Sequence, residues 1–241
     1  MILENENNFM SQEEFDLLKG LINKEFGIMF KGDKRLTLHA KVSHRLKLLG
    51  LSSYREYYDY ILSDGTREEL FRLASHITNN ETYFFREKTQ LDVFAEILKD
   101  IKRDKQRNKR NDLKILSLAC SSGEEPYTLN IMIQESGLFV WDWDVRITGL
   151  DIDKTAIKKA EAGIYGKNSF RMNGNGDAVG EYIKRYFTSD GERYTIRKSF
   201  ARNVEFRFGN VLDSNSLSLI RDMDVIFCRN VLIYMDDNSI G

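Results

Sequence analysis

Lys114-Ile115-Leu116-Ser117-Leu118-Ala119-Cys120-Ser121-Ser122-Gly123-Glu124-Glu125-Pro126-Tyr127 is the stretch that decides the fold. Residues 115–119 form a short apolar run of the kind that becomes a buried parallel strand. Small residues and Gly123 follow, and Glu124-Glu125-Pro126 opens the helical stretch 127–135. Proline suits the first helical turn, where its missing N–H leaves nothing unpaired. The two glutamates favour the positive end of a helix. Strand, tight loop and helix start together form the unit with which open α/β sheets bind nucleotides at strand ends. A plain βα turn would use the same residues. There is no GxGxxG, so a dinucleotide site is not indicated.

Two further strand ends extend the pattern. Residues 145–150 read as a second buried strand ending on Asp151-Ile152-Asp153, before a helix that starts near Lys154. A carboxylate at that strand end can accept from both hydroxyls of a ribose. Asp151 is therefore assigned to a ligand and Asp153 to the cap of the next helix. Residues 224–230 form a third apolar run that turns abruptly polar at Cys228-Arg229-Asn230.

Composition narrows the class. The 241 residues carry 36 Lys+Arg against 37 Asp+Glu, a net charge of -1, which argues against a dedicated nucleic-acid binder. With 41% hydrophobic and 30% charged residues, the chain has a soluble globular balance. No apolar run approaches the ~18 residues of a membrane span. Residues 1–10 are acidic and amide-rich, unlike a signal peptide. Cys120 and Cys228 are the only cysteines, neither a disulfide framework nor a metal site, and point to a reducing cytosol.

Residues 11–76 read as helices alone. Ser11-x-x-Glu14 and Thr66-x-x-Glu69 are capping-box signals, and Gly50 is a stop signal. In the helix 33–49 the apolar stripe is Leu38, Val42, Leu46 and Leu49, and Lys34, Lys41 and Arg45 share an adjacent face. That face is either solvated or a docking surface for an acidic partner. Residues 77–88 run from polar amides into Tyr83-Phe84-Phe85 and then Arg86, which predicts a linker packed into a cleft. Residues 99–110, with seven basic against two acidic residues, read as a solvated helix end or loop. The stretch 163–208 is too long for a simple connection and is read as a small β-rich excursion that returns through a strand at 204–208. Gly209-Asn210-Val211-Leu212 follows that strand, where an adenine edge could lie.

Four motifs in order resemble the CheR family of chemotaxis protein-glutamate methyltransferases. They are Asn79-Asn80-Glu81-Thr82-Tyr83-Phe84-Phe85-Arg86, Ala119 to Tyr127, Asp151-Ile152-Asp153, and Phe227-Cys228-Arg229-Asn230-Val231-Leu232-Ile233-Tyr234. The resemblance implies an α/β protein: an N-terminal all-helical domain plus a Rossmann-like class I methyltransferase sheet with a small inserted antiparallel β-subdomain. The expected parts are a receptor-docking domain at 1–76, a linker at 77–88 contributing to the active site, and a SAM-binding domain at 89–241 with the β-subdomain at about 180–203. Asn80, Thr82 and Arg86 are expected to hold the methionine end and sulfonium side of S-adenosylmethionine (SAM). Glu124 is expected near its amino-acid portion, Asp151 on the ribose, Asn210 and Val211 beside the adenine, and Cys228 with Arg229 closing the site. Arg86 and Tyr234 are the residues the family places beside the reacting methyl group.

The implied reaction methylates chemoreceptor glutamates, giving a 5-O-methyl ester and S-adenosylhomocysteine, without a metal. A SAM-binding regulator, or a methyltransferase with a different acceptor, is the alternative. The implied partner is the receptor's cytoplasmic helical bundle, met through the helix 33–49 by Lys34, Lys41 and Arg45. No nucleic acid and no membrane insertion are expected, and the location is cytoplasmic with recruitment to membrane receptor arrays. Thr188-Ser189-Asp190-Gly191-Glu192 is shorter than the glycine-rich loop of members that tether to a receptor pentapeptide, so no such tethering is expected. The chain stops soon after the fourth motif, where the family continues, so a truncated end is expected. His39, His44 and His76 all precede the sheet domain and are read as structural.

Overall fold

A computed structural model describes residues 9–30, 32–78, 80–171, 176–218, 220–232 and 235, with backbone alone for 176–179. The chain forms two compact units, residues 1–79 with 230–241, and residues 80–229.

The first unit contains α1 (Gln12–Phe26), α2 (Arg35–Leu49), α3 (Tyr54–Ser63) and α4 (Glu68–Ile77). Ser11 and Glu14 make the predicted reciprocal capping box of α1, and α1 buries Phe15, Leu18, Leu21, Ile22 and Phe26 along one stripe. Gly50 ends α2 in the left-handed region at φ 68°. The second capping box is not made. Arg67 takes the cap position of α4, and Asp64 accepts from the N–H groups of Thr66 and Glu69 instead. An aspartate five residues upstream reaches Glu69's N–H once Arg67 turns left-handed. Met235 pairs with Ile28 in an isolated antiparallel bridge within this unit.

Helix α2 buries Leu38, Val42 and Leu46 as its stripe requires. Its basic face is not free, however. Arg45 binds Glu69 through two N–H donors, Nε at 2.8 Å and Nη2 at 2.5 Å, and Glu69 is 4% exposed. Tyr57 donates a third hydrogen bond to the same carboxylate. Lys41 Nζ donates to the carbonyl of Ile77. Arg45 therefore does not stand on an exposed stripe with Lys34 and Lys41, because a buried carboxylate needs its guanidinium.

In the second unit, α5 (Lys88–Arg107) leads into a parallel sheet of β1 (Asp112–Leu118), β2 (Asp144–Asp151), β6 (Val204–Phe208) and β7 (Val225–Cys228), in the order β6-β2-β1-β7. Helix α6 (Glu124–Ser136) follows β1 and α7 (Lys154–Ala162) follows β2. Leu91, Phe94 and Leu98 of α5 pack with Leu113, Ile115, Leu129, Ile133, Val145 and Ile147 in an aliphatic core. Within the basic run 99–110, Lys105 is buried rather than solvated, ion-paired to Asp224 at 2.6 Å and Asp112 at 3.3 Å. With Arg110 donating first and Lys105 second, the Asp112 carboxyl is held down to about 2.

The insertion is a three-stranded antiparallel sheet in the order β3-β5-β4, from β3 (Ile164–Gly166), β4 (Phe187–Ser189) and β5 (Arg193–Ile196). Residues 180–186 are not part of it: they belong to α8 (Gly176–Tyr186). Tyr182, Ile183 and Tyr186 turn together toward an aromatic core at helical spacing. Phe84, Tyr127, Tyr165, Phe170 and Phe187 form the centre of that core. The short α9 (Lys198–Ala201) returns the chain to β6, and α10 (Ser214–Leu217) follows it.

Candidate functional site at the carboxyl edge of the parallel sheet

The loop after β1 is wound tightly. Ala119, Ser121 and Gly123 alternate in the left-handed region, at φ 54°, 49° and 89°. Two of these are not glycine, a local strain that persists only where the surroundings hold it. Gly123 has no alternative: a Cβ there would lie 2.8 Å from both Ala160 Cβ and the Phe206 ring. The loop is tied to the neighbouring strand end by Cys120 N–H to the Leu150 carbonyl (3.1 Å) and Ser121 N–H to Asp151 Oδ2 (2.7 Å).

Asp151 is 6% exposed at the end of β2. Its other oxygen accepts from the N–H of Asp153 at 2.8 Å, and its own carbonyl accepts from Gly209 N–H at 2.9 Å. Burial pushes its carboxyl up, against the backbone donors that lower it. Asp153 caps α7, accepting from Thr155 and Ala156, and its second oxygen accepts from Asn80 Nδ2 at 2.7 Å. Asn80 in turn offers its carbonyl to Ser121 Oγ at 3.2 Å. Asn210 is buried, its Oδ1 accepting from Leu212 N–H, with half-buried Val211 in the turn between.

Segment 80–87 runs along this edge and is fixed by its aromatics. Phe84 donates its N–H to the Ser169 carbonyl and stacks on Phe170 at 4.7 Å and 6°. Phe85 donates to Thr128 Oγ1 and stacks on Tyr182. Thr82, between Asn80 and Phe84 in the chain, is half-buried. The Arg86 guanidinium donates to the Glu81 carbonyl at 2.7 Å and lies 3.9 Å from Glu87.

The consecutive glutamates of α6 point to different partners, as a 100° helical step requires. Glu124 is 1% exposed and accepts from Ser122 Oγ (2.8 Å) and Ser169 Oγ (3.0 Å). Glu125 accepts from Ser117 Oγ at 2.7 Å and faces Arg229 at 3.4 Å. Burial raises both carboxyls. Arg229, 9% exposed, donates to the Arg86 carbonyl at 2.6 Å and lies 3.7 Å from Glu87. Its buried Nε has no partner among the described residues. Cys228, half-buried at the end of β7, has its thiol raised by burial and then by Glu125.

One edge thus carries Asn80, Thr82, Arg86, Glu124, Asp151, Asn210, Val211, Cys228 and Arg229 from four strand ends and one segment. Tyr234 lies outside the described residues. Glu125, Ser117, Ser122 and Ser169 belong to the same network and were not singled out from the sequence. Nothing in the sequence separates the roles of Glu124 and Glu125 beyond the helix dipole and the family motif, and nothing local to Ser169 announces a partner 45 residues upstream.

The pattern "CheR methyltransferase, SAM binding domain" matches residues 80–239, and "CheR methyltransferase, all-alpha domain" matches residues 13–78. The chain is 32% identical to "Chemotaxis protein methyltransferase 2" of Vibrio cholerae, over 95% of this chain and 78% of that protein. It is 28% identical to "Chemotaxis protein methyltransferase" of Borreliella burgdorferi over 98% and 84%. With the protein of that name from Salmonella typhimurium it shares 29% identity over 95% and 76%.

Proposed function

The chain belongs to the CheR family of SAM-dependent methyltransferases, and from that premise we propose that it methylates glutamate side chains of chemoreceptors to 5-O-methyl esters. The observation that carries the reading is the single polar edge of the second unit, which carries parts of all four motifs at residues 80–86, 119–127, 151–153 and 227–229. The groups present there suit SAM: Asp151 keeps lone pairs beyond its two backbone donors, and Arg229 Nε is a donor unmatched among the described residues. In this reading Asp151 holds the ribose, Asn210 and Val211 the adenine, and Asn80, Thr82, Arg86 and Glu124 the methionine end. Bound SAM supplies an electrophilic methyl group on a sulfonium.

The chain's own residues then have a modest task. A glutamate side chain, with a solution pKa near 4.3, is already ionised at neutral pH, so no strong base is needed. Alignment is the main requirement. Arg86 pairs with an acceptor carboxylate and Tyr234 orients it. The rigid anchoring of Phe84 and Phe85 keeps Arg86 in register with the edge. The histidines have no part: His39 Nδ1 lies 2.6 Å from the Tyr54 hydroxyl within the helical unit.

The helical unit would meet the receptor's helical bundle, and Lys34, at the cap position of α2, and Lys41 remain the residues that steer an acidic partner. The enzyme would act in the cytoplasm at receptor arrays, without pentapeptide tethering. Among the described residues no helix is long and apolar enough to cross a membrane. The test is transfer from methyl-tritiated SAM to a receptor cytoplasmic fragment, followed by mild base. Volatile methanol is the expected product; base-stable label would move the acceptor to nitrogen and overturn the reading.

A further inference from the structure

Tyr83 stands between two arginines. The Arg171 guanidinium lies 4.9 Å from its ring centroid and that of Arg86 5.7 Å. The same two arginines grip one glutamate of the chain itself. Arg86 donates to the carbonyl of Glu81 at 2.7 Å, and Arg171 Nη1 lies 2.7 Å from Glu81 Oε1. A glutamate is therefore held at its main chain by one cation and at its carboxylate by the other, beside the residue proposed to face the acceptor.

The backbone under Arg171 is well anchored. It follows Ser169, which donates to Glu124, and Phe170, which stacks on Phe84. The ion pair itself is not: Arg171 and Glu81 are 49% and 45% exposed. A pair this exposed holds little stability. Replacing Glu81 by an incoming carboxylate costs little, while the attraction to the Tyr83 ring persists. Arginine's planar fork also suits a carboxylate better than lysine would.

We propose that Arg171 recognises a carboxylate of the acceptor segment and that Glu81 is its internal competitor, so that the pair sets selectivity for a glutamate-rich peptide. This rests on the reading of the acceptor as a glutamate-bearing receptor segment. Arg171 is a specificity residue here, not a catalytic one.

The test uses a fluorescein-labelled, glutamate-rich helical peptide and measures its anisotropy with the full chain, with S-adenosylhomocysteine binding measured on each variant. Arg171→Ala should weaken the peptide about fivefold, and Glu81→Gln should tighten it about two- to fivefold. The double variant should behave as Arg171→Ala, since the competitor then has nothing to block. S-adenosylhomocysteine affinity should stay unchanged, and a peptide with glutamine for glutamate should be indifferent to both substitutions. A purely structural pair would shift both single variants in the same direction, and that result, or no shift, overturns the proposal. No peptide binding by any variant overturns it too, whereas the proposed reaction would survive if the intact receptor fragment is still esterified. Peptide binding with the expected opposite shifts but no ester on any substrate would refute the reaction and leave the recognition standing.

Discussion

Two largely buried Arg–Glu pairs, one in each compact unit, differ in a way that separates structure from function. Arg45 and Glu69 meet through two short donors, with Tyr57 adding a third, so the carboxylate is fully served. The guanidinium is held in its charged form by that bonding, and the Tyr57 hydroxyl is pushed up chiefly by burial. Arg229 and Glu125 are 3.4 Å apart, the arginine shares itself with the Arg86 carbonyl, and its Nε is left over among the described residues. Burial raises Glu125 even with Arg229 opposite. A closed pair pins helices together. A loose pair at a strand end keeps hydrogen-bonding capacity that a ligand can use.

The comparison breaks most visibly at Glu69. Glu69→Ala leaves Arg45 buried and uncompensated and should cost about 3–5 kcal/mol of stability in urea unfolding. A cost under about 1 kcal/mol would mean the pair is not structural. Arg229→Ala should reverse the balance: about 10- to 100-fold weaker S-adenosylhomocysteine binding, equal to about 1.4–2.7 kcal/mol, with a smaller loss of stability. Unchanged binding with a large unfolding defect would put both pairs in one class.

Glu125→Gln sharpens the contrast through pH. Because burial raises the Glu125 carboxyl, the folded state keeps a proton that the unfolded chain has already lost. The stability this brings is complete below the unfolded value near 4.3 and is lost as pH rises through the folded value. Wild type should therefore lose stability relative to Glu125→Gln between pH 4 and 7, by up to about 1 kcal/mol, as read from urea midpoints. The opposite slope would mean that Arg229 lowers the group more than burial raises it. The smallest effect is a control: Asp92→Ala removes the exposed Lys88–Asp92 pair and should shift stability by less than about 0.5 kcal/mol.

Much of the frame was legible in the sequence because it rests on local signals. The strands read at 115–119, 145–150, 204–208 and 224–230 became β1, β2, β6 and β7, since apolar runs ending in abrupt polarity have few other uses in an α/β chain. Gly50 and the Ser11–Glu14 box act within one helical turn. Where the reading departed from the structure, a distant residue intervened. Asp64 took the Glu69 N–H and left Thr66 that of Glu68, Arg45 was drawn inward by Glu69, and Lys105 was buried between Asp112 and Asp224. Residues 180–186 carry Tyr182, Ile183 and Tyr186 at helical spacing, and the aromatic core holds that face as a helix.

The sequence by itself determined which strands end in polar loops, which of those loops must wind tightly around Gly123, and which family the motifs resemble. These are matters of backbone sterics and of burial period, and neighbours in sequence settle them. Only the tertiary structure decided how the charges pair. Glu124 and Glu125 are adjacent in sequence, yet one turns to Ser169 and the other to Arg229. The physical reason is that a buried charge takes whatever partner the packing brings within about 3 Å, and packing joins residues more than a hundred positions apart.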